Sequence, residues 1–159
     1  MFEGISIRPP FFEFGPKAYI YGEKVLKIAK KLDELAIKYD LDIILTPQYT
    51  DIPIVSKSTE RILVFAQHMD CIPIGVGVGS VLPEAIKEAG AVGVMLNHAE
   101  KPLPMPVIKK TIQRADEVGL ATIVCANTLK DIMEIAKMSP NIIVAEPTEL
   151  IGTGQISSK

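Results

Sequence analysis

"AVGVMLNHAE", residues 91–100, decides the fold. Six apolar residues run without the polar alternation of a half-solvated strand, and Asn97, His98, Ala99 and Glu100 follow at once. A continuous apolar run of this length reads as a strand covered on both faces, and such strands belong to parallel sheets. The same pattern recurs in "DIILTP" (42–47), "ILVFAQ" (62–67), "LATIVCA" (120–126) and "NIIVA" (141–145), with "PFFEF" (10–14) before them.

Amphipathic stretches separate these runs. From about Gly22 to Tyr39, Val25, Ile28, Ala29, Leu32, Leu35 and Ala36 repeat at three-to-four spacing and place one apolar face on a helix. A short helix is expected near Ile52–Ser58. "VLPEAIKEAG" has Pro83 near its start and Gly90 at its end, the usual asymmetry of a helix. Residues 105–119 form a helix closed by Gly119, and 128–138 one with Thr128 as N-cap. The order is βα repeated about six times. An open doubly wound sheet and a (β/α)8 barrel with about six units present both fit. No Gly-x-Gly-x-x-Gly follows the first strand and no P-loop occurs; "GVGVGS" (75–80) lacks the strand-turn context of a dinucleotide site.

At 159 residues, 48% hydrophobic, the chain suits a single domain spanning 1–159. No apolar run approaches the roughly 20 residues that cross a bilayer, and "MFEGISIRPP" has no signal pattern, so a cytoplasmic protein without a membrane partner is expected. Net charge is −2, with three arginines and fourteen lysines spread along helix-like segments; nothing here suggests nucleic acid. Cys71 and Cys125 lack zinc spacing, and Cys125 reads as a small core residue. No metal is expected.

In parallel β/α proteins chemistry sits at the C-terminal ends of strands. There the chain places Gly15 and Lys17, Gln48, Gln67 and His68, Asn97, His98 and Glu100, Asn127, and Glu146. One lysine, both histidines and two carboxylates, Glu100 and Glu146, can therefore converge on one mouth. The loop "HMDCIPIGVGVGS" (68–80) is too long for a plain connector and reads as functional or as an interface.

"VMLNHAE" (94–100), "GSVLPEAIKEAGAVG" (79–93), "EPTELIGTG" (146–154) and "PKAY" (16–19) together resemble the archaeal triosephosphate isomerases, as do "FAQHMD" and "TIVCANT" in order and spacing. The resemblance runs from about Phe12 to Lys159. It implies a (β/α)8 barrel that interconverts dihydroxyacetone phosphate and glyceraldehyde 3-phosphate, a small phosphorylated three-carbon substrate, without a cofactor. It implies Glu146 as the base, opening a lid in which Gly152 and Gly154 permit hinging and close approach of backbone to phosphate. It implies His98 as the electrophile, kept neutral in that family by a helix N-terminus, and Lys17 as the cation that neutralises substrate charge. Glu100 resembles the acid that holds this lysine, through an ion pair, and Asn97 stands beside the histidine in support. The loop 68–80 would pack against a neighbouring subunit of a homo-oligomer, with Val76 and Val78 in the contact; His68 reads as structural or part of that interface.

Two positions depart from the family. Gly15 stands in the substrate-facing motif where the family has Asn, and Ala99 where it has Ser. The last two strands and their phosphate-holding loops do not follow Lys159. A C-terminal fragment completing the barrel, a pairing of two copies, or a longer chain are the expectations this raises. A phosphosugar isomerase with a different substrate and a degenerate binding or regulatory barrel are the alternative readings.

Overall fold

The structure, a computed structural model, describes residues 5–146. Its elements alternate as the apolar runs require: β1 (Phe11–Phe14), α1 (Glu23–Tyr39), β2 (Asp42–Leu45), α2 (Ile52–Ser58), β3 (Leu63–Ala66), α3 (Pro83–Glu88), β4 (Gly93–Leu96), α4 (Met105–Val118), β5 (Ala121–Ala126), α5 (Leu129–Ala136) and β6 (Ile142–Ala145). A 3-10 turn at Tyr49–Asp51, which periodicity does not announce, leads into α2. Helix ends follow their local chemistry. Gly119 closes α4 in the left-handed region (φ 73°), and the Thr128 hydroxyl caps α5 by accepting from the Asp131 N–H at 3.1 Å.

All pairings are parallel and the strand order is β1-β2-β3-β4-β5-β6. A doubly wound sheet reverses its order at a switch point; a sheet whose neighbours in space are its neighbours in sequence is the wall of a barrel. Six units of that wall are present here, with β1 and β6 at its edges.

Alternation along the strands divides the interior in two. Ile43, Leu45, Val64, Ala66, Val94 and Val124 face the helices, where Val25, Ala29 and Ala36 of α1 and Ile108, Ile112 and Ala115 of α4 meet them. Ile44, Leu63, Phe65, Ala121 and Ile123 face the other way, into the lumen, with Ile5, Ile7 and Met95 packed against them. Phe65 is fully buried there, worth about 1.5–3 kcal/mol. Its ring lies where a Cβ on Gly93 would have to be, so Gly93 is the strand residue that lets the aromatic fill the lumen. Asp33 breaks the apolar stripe of α1. It is 9% exposed, and its carboxylate accepts from the N–H groups of Glu60, Arg61 and Ile62 at 3.1, 2.7 and 3.0 Å, pinning α1 to the entry of β3. Among the described residues no helix is long and apolar enough to cross a membrane.

Candidate active site

The C-terminal strand ends surround a cavity of about 420 Å³, lined among others by Lys17, Gln67, His68, His98, Glu100 and Glu146. The residues singled out at five strand ends thus meet around one space. Gly152 and the remainder of the expected lid lie outside the described residues.

Lys17 leaves β1 in the left-handed region, φ 50°, a conformation that costs a side-chain-bearing residue of order 1–3 kcal/mol and persists only where neighbours enforce it. Two glutamines do so. Gln48 Nε2 and Gln67 Nε2 both donate to the Lys17 carbonyl, at 2.8 and 3.0 Å, and Gln48 Nε2 also donates to Gln67 Oε1 at 3.1 Å. The ammonium lies 2.7 Å from Glu100 Oε1. That bond raises the Lys17 pKa and lowers that of Glu100, so both stay charged across the neutral range.

His98 follows β4. The Glu100 N–H donates to its Nδ1 at 3.1 Å. In the neutral ring the nitrogen that accepts carries no proton, so this bond fits the tautomer with hydrogen on Nε2. The backbone beyond His98 is a turn, with Lys101 N–H donating to the His98 carbonyl at 2.8 Å. Asn97, at φ 58°, is a brace: its Nδ2 donates to the Cys125 carbonyl and its Oδ1 accepts from the Leu103 N–H, both at 2.8 Å. It ties the tips of β4 and β5 and sets where His98 emerges.

Glu146 continues the β5–β6 ladder, its N–H donating to the Ala126 carbonyl at 2.9 Å. Its Oε2 is buried without a hydrogen-bond partner among the described residues, and a carboxylate oxygen in that condition is a strong acceptor. Cys125 adjoins it; burial first, and then the Glu146 carboxylate, push that thiol up to about 12, so it stays protonated and is no nucleophile. His68 is 3% exposed, with Nε2 3.3 Å from Asp70 Oδ1, and burial lowers its pKa despite that partner. Asp70 Oδ2 in turn accepts from the Val81 N–H at 2.7 Å, closing the neck of a loop whose Ile74, Val76 and Val78 are exposed. Among the described residues no cluster of three His, Cys, Asp or Glu side chains is placed to hold a metal.

Sequence reasoning missed Glu13. It lies inside β1, beside Ile44 in the register, with its side chain on the lumen wall of the cavity. The Thr46 hydroxyl donates to its Oε1 at 2.9 Å, and burial raises its pKa. The available signal was alternation: within a strand Glu13 points to the face opposite Phe12 and Phe14. The Glu13 carboxylate lies against Gly15: a Cβ there would stand 2.9 Å from Glu13 Oε1.

A wall of sequentially ordered parallel strands, with a carboxylate, an imidazole and an ammonium around one cavity at the C-terminal rim, defines a β/α-barrel protein with an acid–base site. The triosephosphate isomerase family model matches residues 15–159. The triosephosphate isomerase of Sulfurisphaera tokodaii is 39% identical over 155 residues, 96% of this chain and 67% of that protein. The enzyme of Methanobacterium bryantii is 41% identical over 138 residues, 87% of this chain and 61% of that protein. A crystal structure of triosephosphate isomerase from Bartonella henselae superposes with a TM-score of 0.70 at 18% identity, covering 86% of this chain and 66% of that one; this likeness is one of fold. The chain belongs to the triosephosphate isomerase family, and it spans roughly two thirds of the length of these relatives.

Proposed function

We propose that this chain supplies the acid–base machinery of a triosephosphate isomerase, interconverting dihydroxyacetone phosphate and glyceraldehyde 3-phosphate. The observation that carries the reading is the meeting of Lys17, His98 and Glu146 around one cavity. Glu146, through its unpartnered Oε2, takes a proton from the carbon beside the substrate carbonyl and returns it to the neighbouring carbon. His98 donates from Nε2 to the carbonyl oxygens. The Lys17 ammonium, steadied by Glu100, offsets the charge of the enediolate that forms. Carbonyl, base and donors suffice for this proton transfer, so the reaction needs no cofactor and is an intramolecular aldose–ketose isomerisation in the cytoplasm.

The reading includes two partners. Phe11 and Phe12 on edge strand β1 are 38% and 54% exposed, and an uncovered parallel edge invites pairing. A further segment carrying the remaining β/α units would cover both edges and bring the backbone that holds the phosphate, together with Gly152 of the lid. The exposed Ile74, Val76 and Val78 would seat in a second copy of the chain, giving a homo-oligomer. The test is a coupled assay of glyceraldehyde 3-phosphate conversion, on the chain alone and with the completing segment, alongside native mass measurement. Turnover abolished by Glu146→Gln is expected; no turnover in either assembly sinks the reading.

A further inference from the structure

Glu13 is a carboxylate in the cavity to which the isomerisation as described gives no task. It is held in place, since the Thr46 hydroxyl donates to Oε1 at 2.9 Å and its chain shares the lumen face with Ile44. It occupies volume that belongs to position 15. A Cβ on Gly15 would meet Glu13 Oε1 at 2.9 Å and Thr46 Oγ1 at 3.3 Å. The φ of Gly15 is not in the left-handed region, so a side chain there would require only that the end of Glu13 move aside.

The groups that face Glu13 from the surrounding elements are His98 beyond β4, the Cys125 thiol on β5 and Glu146 beyond β6. Lys17, on its own strand, is engaged with Glu100 at 2.7 Å. Glu13 therefore shares the cavity with Glu146, with the Lys17–Glu100 pair and with Lys101, and has no ion-pair partner among the described residues. Two carboxylates in one partly dry space do not both ionise at neutral pH without cost. Glu146 must be ionised to act as the base, so of the two Glu13 is the carboxyl left to hold a proton. Burial is the first cause raising its pKa; the Thr46 hydrogen bond and His98 work against it, the charge of Glu146 adds to it, and the net direction is upward. Because Oε1 already accepts from Thr46, the proton sits on Oε2.

We propose that Glu13 is a further catalytic residue: as a neutral carboxylic acid it donates a hydrogen bond from Oε2 to the substrate's carbonyl oxygen, alongside His98 Nε2–H. The proposal rests on the isomerase reading and deepens it. A donor at this place gains strength as the oxygen acquires enediolate charge. Ionised, the same group would repel that charge, so turnover falls as pH rises through the titration of Glu13.

The experiment measures kcat and kcat/KM against pH on the complete assembly, for the unsubstituted protein, Glu13→Gln, Glu13→Ala, and Glu13→Ala combined with Gly15→Asn. Carboxyl 13C titration of the unsubstituted protein and Glu13→Gln, without substrate, accompanies it. Glu13→Gln keeps an N–H donor, so it should lose severalfold less kcat than Glu13→Ala and lose the alkaline fall. Glu13→Ala should lose roughly 10- to 100-fold in kcat, as removal of one such donor does. The double variant, with an amide at the adjoining position, should recover part of that loss. The 13C resonance of Glu13 should report a protonated carboxyl where the enzyme turns over. Glu13→Ala at full kcat, a Glu13→Gln profile that overlays the original, or an ionised Glu13 throughout the active range overturns the donor role alone. No turnover in the unsubstituted protein overturns the isomerase reading and the donor role together.

Discussion

At the N-terminal ends of β1, β2 and β3 carboxylate and cation are matched. Asp42, 2% exposed, takes Arg61 at 2.6 Å and Arg8 at 3.3 Å, and Asp40 takes Arg8 at 2.7 Å. Burial alone would raise the Asp42 pKa, but the Arg8 N–H and both guanidiniums outweigh it, and the net shift is downward. Asp33 nearby satisfies three backbone N–H groups. At the C-terminal rim, among the described residues, Glu13 of β1 has no ion-pair partner, Glu146 Oε2 beyond β6 has no hydrogen-bond partner, and Lys17 sits in a costly backbone conformation. One rim is electrostatically closed and holds the fold; the other keeps unspent interactions that a ligand can take up. In barrels of parallel strands this division is general, and here single residues show where it falls.

Substitutions at the two rims should accordingly separate activity from stability. Glu146→Gln should lower kcat about 10³-fold, the scale of a lost general base, and move the melting temperature by no more than about 1 °C. A large fall in melting temperature would erase the contrast. Asp33→Ala should do the reverse. It orphans three N–H groups at the entry of β3, costing about 3 kcal/mol or roughly 6–12 °C, with kcat per folded molecule unchanged; calorimetry with active-site titration measures both. Lys17→Gly sharpens the comparison within one residue. It should cost at least about 100-fold in kcat, yet relief of the left-handed strain leaves the melting temperature unchanged or a few degrees higher.

The smallest effect is one of sign. Glu13 has a raised folded pKa, so its contribution to stability is fully present below its unfolded value near 4.5 and is lost as pH rises through the folded value. Asp42 and Glu100 have lowered folded values, so theirs are present above the ordinary carboxylate range and lost as pH falls through it. Glu13→Gln should therefore stabilise the protein at pH 7 relative to the original and not at pH 4. Denaturant titrations at the two pH values check this, and equal effects at both would place Glu13 with the matched carboxylates of the other rim.

Much of this arrangement was legible in the residue order. Continuous apolar runs marked β2, β3 and β5, which are buried along their whole length, and the stripe from Val25 to Ala36 marked α1. Lys17, His98 and Glu146 were among the polar residues at the strand ends, and the likeness to the triosephosphate isomerases singled them out. The strand order was not legible, because adjacency arises from pairings many residues apart, and both a wound sheet and a barrel satisfy the same alternation. Edge strands were the weakest reading. In β1 the large apolar Phe12 is exposed while Glu13 turns inward, the reverse of what hydrophobicity predicts. A carboxylate within a strand looks like an outer-face residue unless the lumen it faces is polar. The roles of Asn97, Gln48 and Gln67 were hidden too, since an amide at a strand end looks the same whether it touches a ligand or a neighbouring backbone.

Gln67 carries one more consequence. Its single amide nitrogen donates to the carbonyls of Lys17 and Thr46, at 3.0 and 2.9 Å, so three consecutive strand tips are sewn together by one carboxamide. Glutamate, its nearest isostere, offers no donor and would set negative oxygen against two carbonyls. Position 67 is therefore a stitch with a single permitted thread, and a change there would loosen the lysine's seat without touching the lysine.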